Sequence, residues 1–115
     1  MSKNVIKTKS FDFAVDIVNL YKELVSNHKE YVMSRQLLKS GTSIGANVRE
    51  AEFGVSKPDF INKMSIALKE ANETDYWLEL LNRTAFIGEN TYLEYKPKIQ
   101  EIIKLLVSIV KSSKQ

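Results

Sequence analysis

An all-α, antiparallel up-down-up-down four-helix bundle is the architecture this sequence predicts, on three observations. Apolar residues recur at helical spacing in four separate stretches, and no convincing strand alternation competes with them. The joints between those stretches are short, roughly four to seven residues, which places consecutive helices antiparallel. With 115 residues, the chain has length for one domain with one proper core and none for a second.

The first helix is expected over about 10–26, with Ser10 as a candidate N-cap and a stripe of Phe13 or Ala14, Ile17, Tyr21 and Leu24. The second runs over about 31–53. Its seam of Leu37, Gly41, Ile44, Val48 and Ala51 alternates spacings of four and three, and Gly54 is placed to stop it. The third, over 57–83, opens on Ser-Lys-Pro-Asp: Ser56 is a cap, Asp59 completes a capping-box-like pair, and Pro58 suits a first turn. Its seam is Phe60, Met64, Ala67, Ala71, Thr74, Leu78 and Leu81. The fourth, about 91–112, has the cleanest pattern, with Tyr95, Ile99, Ile102, Leu106 and Ile109. Asn90 is a candidate cap, but Pro97 then falls inside the helix, where it removes a hydrogen bond. Either the helix bends there or its regular part begins near Tyr95.

The second helix carries an oddity. Gly41 and Gly45 stand four apart among Ser40, Ser43 and Ala46, although each interior glycine costs a helix roughly 1 kcal/mol relative to alanine. Four apart means one face, so the pair leaves a strip almost without side chains. Such a strip lets another backbone approach closely, within the bundle or between subunits. Ser40, Ser43 and Asn47 lie beside it as candidate hydrogen-bonding groups across the gap. A phosphate-binding loop is a poor fit: neither glycine-rich spacing is present and no strand precedes it.

The same region carries a family resemblance. Gln36, Leu37, Lys39, Ser43, Ile44, Ala46, Asn47 and Glu50, with Phe60 and Glu73 further on, fall on the motif of the bacterial four-helix-bundle family encoded in 23S rRNA intervening sequences. The match spans about Gln36–Leu81 and is specific by combination. It implies an antiparallel four-helix bundle and a ring-like homo-oligomer, a pentamer. It also implies kinship to accessory proteins of diversity-generating retroelements, which are linked to nucleic acid and a reverse transcriptase. Two positions depart from the pattern: Ala51 replaces a glycine, and Gly54 stands where many relatives have an arginine.

Composition narrows the functional classes. There is no cysteine, hence no disulfide and no thiolate metal site. No apolar run approaches the ~20 residues of a membrane span, and the basic N-terminus lacks a signal-peptide core, so a cytoplasmic protein is expected. His28 is the lone histidine and falls at a helix end, which suits a surface or C-capping residue. A hydrolytic triad and a di-iron Glu-x-x-His set are both missing. We expect no enzyme, no cofactor, no metal and no small-molecule substrate. Glu50 or Glu73 is expected to pair with Lys39 or Arg49 beside Asn47, a polar cluster with Gln36 and Ser43 that fixes helix register. Tyr76, Trp77, Tyr92 and Tyr95 read as seam or interface packing more readily than as base-stacking platforms.

The net charge is +3, with basic groups toward the two ends of the chain and net acidic character over 58–84. Lys3, Lys7 and Lys9, with Lys96, Lys98, Lys104 and Lys111, are the candidate nucleic-acid contacts, touching phosphates without reading sequence. The leading expectation is a non-enzymatic homo-oligomer that binds RNA or a ribonucleoprotein. The alternative is an oligomeric protein–protein scaffold whose charge serves solubility alone.

Overall fold

The computed structural model describes the backbone of residues 2–115 and the side chains of residues 5–115. Four helices follow one another: α1 (Ser2–His28), α2 (Met33–Glu52), α3 (Lys57–Arg83) and α4 (Glu89–Ser113). At about 1.5 Å per residue the longest helices reach roughly 40 Å, and the molecule measures 44 × 21 × 19 Å, the shape of helices lying side by side. Each helix packs on two neighbours, α1 with α2 and α4, α3 with α2 and α4, and none reaches across the diagonal. Lys7 near the start of α1 meets Glu52 at the end of α2. Lys9 and Asp16 of α1 meet Glu101 and Lys98 of α4, so ascending one helix means descending the other. The molecule is an all-α four-helix bundle.

The core follows most of the seams read from the sequence, with Ile17, Leu24, Leu37, Ile44, Met64, Leu78, Leu81, Ile99, Ile102 and Leu106 all shut off from solvent. In α1 the buried residue is Leu20 rather than the expected Tyr21, which is half-buried, as is Phe60 of α3. Two boundaries differ from expectation. Ser10 does not cap α1: it lies a third of the way along, is buried, and its hydroxyl donates to the Lys7 carbonyl 3.3 Å away. The apolar stripe continues upstream through the fully buried Ile6, and no glycine or proline precedes Ser10 to stop the helix. In α4, Asn90 is inside the helix and Gly88 occupies the cap position. Pro97 stands within the continuous helix. The carbonyl it deprives of a donor belongs to Leu93, an exposed residue, so water can serve it.

The helix starts differ in kind. Ser56 Oγ accepts the Asp59 amide at 3.2 Å, the cap expected for α3. At α2 the cap is the Glu30 carboxylate, which accepts from the amides of Val32, Met33 and Ser34 at 3.2, 3.1 and 2.6 Å. The Ser34 hydroxyl returns a 2.7 Å bond to the Glu30 carbonyl. Burial pushes the Glu30 carboxyl upward, but the three backbone donors and the Ser34 hydroxyl outweigh it and hold its pKa below the ordinary value of 4.5. The α3–α4 joint reverses through Ala85, a left-handed residue at φ 68, with Phe86 N bonded to Leu81 O at 2.9 Å.

Candidate nucleic-acid interface

The glycine strip faces α1. A Cβ added at Gly41 would lie 2.9 Å from both Cγ1 and Cγ2 of Ile17, and one added at Gly45 would lie 3.3 Å from the Ser10 backbone oxygen. The missing side chains therefore admit a β-branched residue at one turn and the neighbouring backbone itself at the next. This close contact lies inside the bundle, between α2 and α1. On the opposite flank α2 joins α3 through a buried hydroxyl pair, Thr74 Oγ1 standing 2.9 Å from Ser40 Oγ and 2.8 Å from the Glu70 carbonyl oxygen. No buried side-chain polar atom among the described residues is left unsatisfied.

The expected polar cluster does not assemble within the chain. Ser43 donates to the Lys39 carbonyl at 2.6 Å and Asn47 donates to the Ser43 carbonyl at 2.8 Å, both within α2. Glu50 pairs with Lys63 at 2.9 Å, and Glu73 accepts from Trp77 Nε1 at 3.3 Å. Arg49 lies over the Phe11 ring, 5.6 Å from its centroid. Gln36 and Lys39 are exposed. The reason is geometric: at 100° per residue, Gln36, Lys39, Ser43, Asn47 and Glu50 share a flank of α2 outside the core seam. Polar side chains there find their own helix's carbonyls first. Of the hydroxyls and amides beside the glycines, Ser40 is the residue that bonds across to another helix.

The seven candidate lysines separate just as clearly. Lys7 is bound to Glu52 at 3.1 Å and Lys9 to Glu101 at 3.2 Å. Lys96 is bound to Asp75 at 2.7 Å, and Lys98 to Asp16 at 2.9 Å and more loosely to Glu94 at 3.8 Å. The hydrogen bonds to Asp75 and Asp16 raise the pKa values of Lys96 and Lys98, which hold their protons more firmly for the pairing. These four lysines, expected as phosphate contacts, are already neutralised by this chain's own carboxylates. The side chain of Lys3 lies outside the described residues. Lys104 and Lys111 remain, both exposed and neither in an ion pair among the described residues.

The α1–α4 flank holds a groove of about 260 Å³ lined by Lys9, Asp12, Phe13, Asp16, Lys98, Glu101 and Ile102. Its two lysines are paired with Glu101 and Asp16, and Asp12 adds a further carboxylate, so it has no net appetite for an anion. Tyr95 links α4 to α1 nearby: its hydroxyl donates to the Asp16 carbonyl at 2.9 Å, its ring sits edge-on to Phe13, and burial, with help from Asp16, Glu94 and Glu23, pushes its pKa up to about 12. On the α1–α2 flank a second groove is lined by Lys7, Phe11, Ala14, Thr42, Gly45, Ala46, Arg49 and Glu50, and is mainly apolar. Neither groove gathers the acid, base and nucleophile that a reaction needs. Among the described residues no group of three or more His, Asp or Glu side chains is placed to hold a metal ion. No helix is long and apolar enough to cross a membrane. His28 ends α1, exposed, edge-on to Phe86.

A four-helix bundle with a glycine-thinned second helix and a lysine-bearing fourth is the class these features define. The chain belongs to the 23S rRNA-intervening sequence protein family, whose model matches residues 2–108. It is similar to a crystallised protein with unknown function from the S23 ribosomal protein family of Bacteroides thetaiotaomicron VPI-5482. That likeness has 62% identity and a TM-score of 0.95, over 96% of this chain and 99% of that one. No curated protein matches the chain significantly.

Proposed function

We propose that this protein is a non-enzymatic, homo-oligomeric cytoplasmic module that binds RNA, or a particle containing RNA, through lysines on its outer surface. The observation that carries this reading is the asymmetry of the ion pairs: Lys7, Lys9, Lys96 and Lys98 are matched by carboxylates, whereas Lys104 and Lys111 are left facing solvent. Unmatched cations on a rigid helix are suited to phosphate contacts that position a polyanion. A ring of five copies is the assembly that the family resemblance implies. In the test, light scattering measures the mass, and binding to labelled RNA is followed as salt is raised. Five chains per particle and a steep linear fall of log affinity with log salt are expected. Absence of RNA binding even at low salt would overturn the RNA part of the reading.

The second reading is an oligomeric protein–protein scaffold. It is favoured by the apolar groove on the α1–α2 flank, where Phe11 is 53% exposed, and by Phe53 and Val55 at the α2–α3 joint, exposed by 75% and 94%. Its signature is partner binding that strengthens or holds steady as salt rises.

A further inference from the structure

From Ile102 to Gln115 the chain carries Lys104, Lys111 and Lys114 and neither aspartate nor glutamate. All three lysines are exposed, on a helix whose earlier lysines are tied to neighbouring carboxylates. Lys104 and Lys111 border an open depression on α4 together with Val107, Ser108 and Ser112. Lys114 borders the next one with Lys57, Ile61 and Ser65 of α3. Gln115 lines the first depression and Lys57 the second, and Lys57 Nζ donates to the Gln115 backbone oxygen at 3.0 Å. At about 1.5 Å per residue, Lys104 and Lys114 stand roughly 15 Å apart along the helix. A nucleic-acid duplex carries a charge about every 2 Å of its axis, so a row of that length faces several phosphates. No aromatic ring lines either depression, which leaves no platform for stacking unpaired bases.

We infer that this shelf, formed by Lys104, Lys111 and Lys114, seats the phosphate backbone of double-stranded RNA without regard to base sequence. The inference rests on the RNA-binding reading above and gives it a location and a substrate form. Lys114 enters as a contact at the end of α4, beside Lys57, whose ammonium is held by the Gln115 backbone oxygen. Lys9, Lys96 and Lys98 drop out, since a phosphate would first have to displace a carboxylate that is already bound.

The test uses the full chain and an end-labelled RNA duplex of about 20 base pairs, titrated at several salt concentrations. Two triple variants are compared, Lys104→Gln/Lys111→Gln/Lys114→Gln and Lys9→Gln/Lys96→Gln/Lys98→Gln, with circular dichroism confirming that both remain helical. The first is expected to bind at least about 10-fold more weakly and to lose about 2–3 from the log–log salt slope. The second is expected to bind within about 2-fold of the unchanged protein. Equal binding by the first variant, or loss confined to the second, overturns the shelf and leaves RNA binding standing. Failure of the unchanged protein to bind duplex RNA while it binds single-stranded RNA overturns the shelf's ligand. Failure to bind either overturns both the shelf and the reading beneath it.

Discussion

The two flanks of α1 are built on opposite principles. Toward α2, contact is made by leaving atoms out: Gly41 opens room for Ile17, and Gly45 lets the Ser10 backbone come within van der Waals range. Toward α4, contact is made by long polar side chains that reach across a groove, with Lys9 bound to Glu101, Lys98 to Asp16 and the Tyr95 hydroxyl to the Asp16 carbonyl. A steric seam has one register and is indifferent to salt. A bridged seam is adjustable, is screened by ions, and leaves space between the helices. The difference teaches that the first two helices form the rigid half of the bundle, while the links between α4 and its neighbours occupy Lys96 and Lys98 and leave Lys104 and Lys111 unpaired among the described residues.

Adding a methyl to the steric seam tests this most severely. Gly41→Ala gains roughly 1 kcal/mol of helix propensity. It also drives a Cβ into Ile17, a stiff, β-branched and fully buried side chain, at a cost of about 1–3 kcal/mol. A net loss of up to about 2 kcal/mol in urea unfolding is expected. Trimming Ile17 to alanine in the same chain removes both clashing Cγ atoms and should recover part of it, and a double mutant no better than the sum of the singles would refute the steric account. Gly45→Ala should matter less, within about 1 kcal/mol of neutral, because the 3.3 Å approach to Ser10 asks for only a slight shift.

The start of α2 offers the next effect. Glu30→Ala removes a carboxylate that three backbone amides share, and should cost about 1–2 kcal/mol at neutral pH. The sign with pH follows from the lowered pKa. The charged carboxylate stabilises the fold fully above its unfolded value of 4.5, and this contribution fades as pH falls through the folded value. The stability gap between the unchanged protein and Glu30→Gln, measured by denaturant titration, should therefore narrow in acid. A gap that widens would contradict the cap.

The bridged seam predicts the smallest changes. Tyr95→Phe should lose about 1 kcal/mol with the hydrogen bond to Asp16. Lys98→Met should lose less than about 1 kcal/mol, and the loss should shrink in high salt because the Asp16–Lys98 pair is partly open to solvent. A loss from Lys98→Met larger than that from Gly41→Ala would reverse the comparison and make the ion pairs the stronger seam.

Much of this was open to inspection in the bare chain. The four apolar seams reappear in the core, the Ser56 cap accepts the Asp59 amide, and the glycine pair marks a close helix contact. These features repeat within a few residues, so local spacing carries them. Ser10 misled because a small hydroxyl residue looks the same at a helix start and at a tight crossing. Only the approach of Gly45 tells the two apart. The Glu30 cap was missed because glutamate is an uncommon cap. The signal was present: a carboxylate followed four residues later by Ser34, which reciprocates the bond. Thr74 was read as one more seam residue, and its tie to Ser40, 34 residues away, exists only after α2 and α3 dock.

The order of amino acids alone settled that four helices form and most of the stripe each one buries, because both depend on contacts within one or two turns. Packing decided which charges remain to act on anything outside. Asp16 and Lys98 stand 82 residues apart in the chain, and their 2.9 Å meeting is a property of the register between two helices. Coulomb attraction depends on distance in space, so no reading of charge along the chain could separate the neutralised lysines from Lys104 and Lys111.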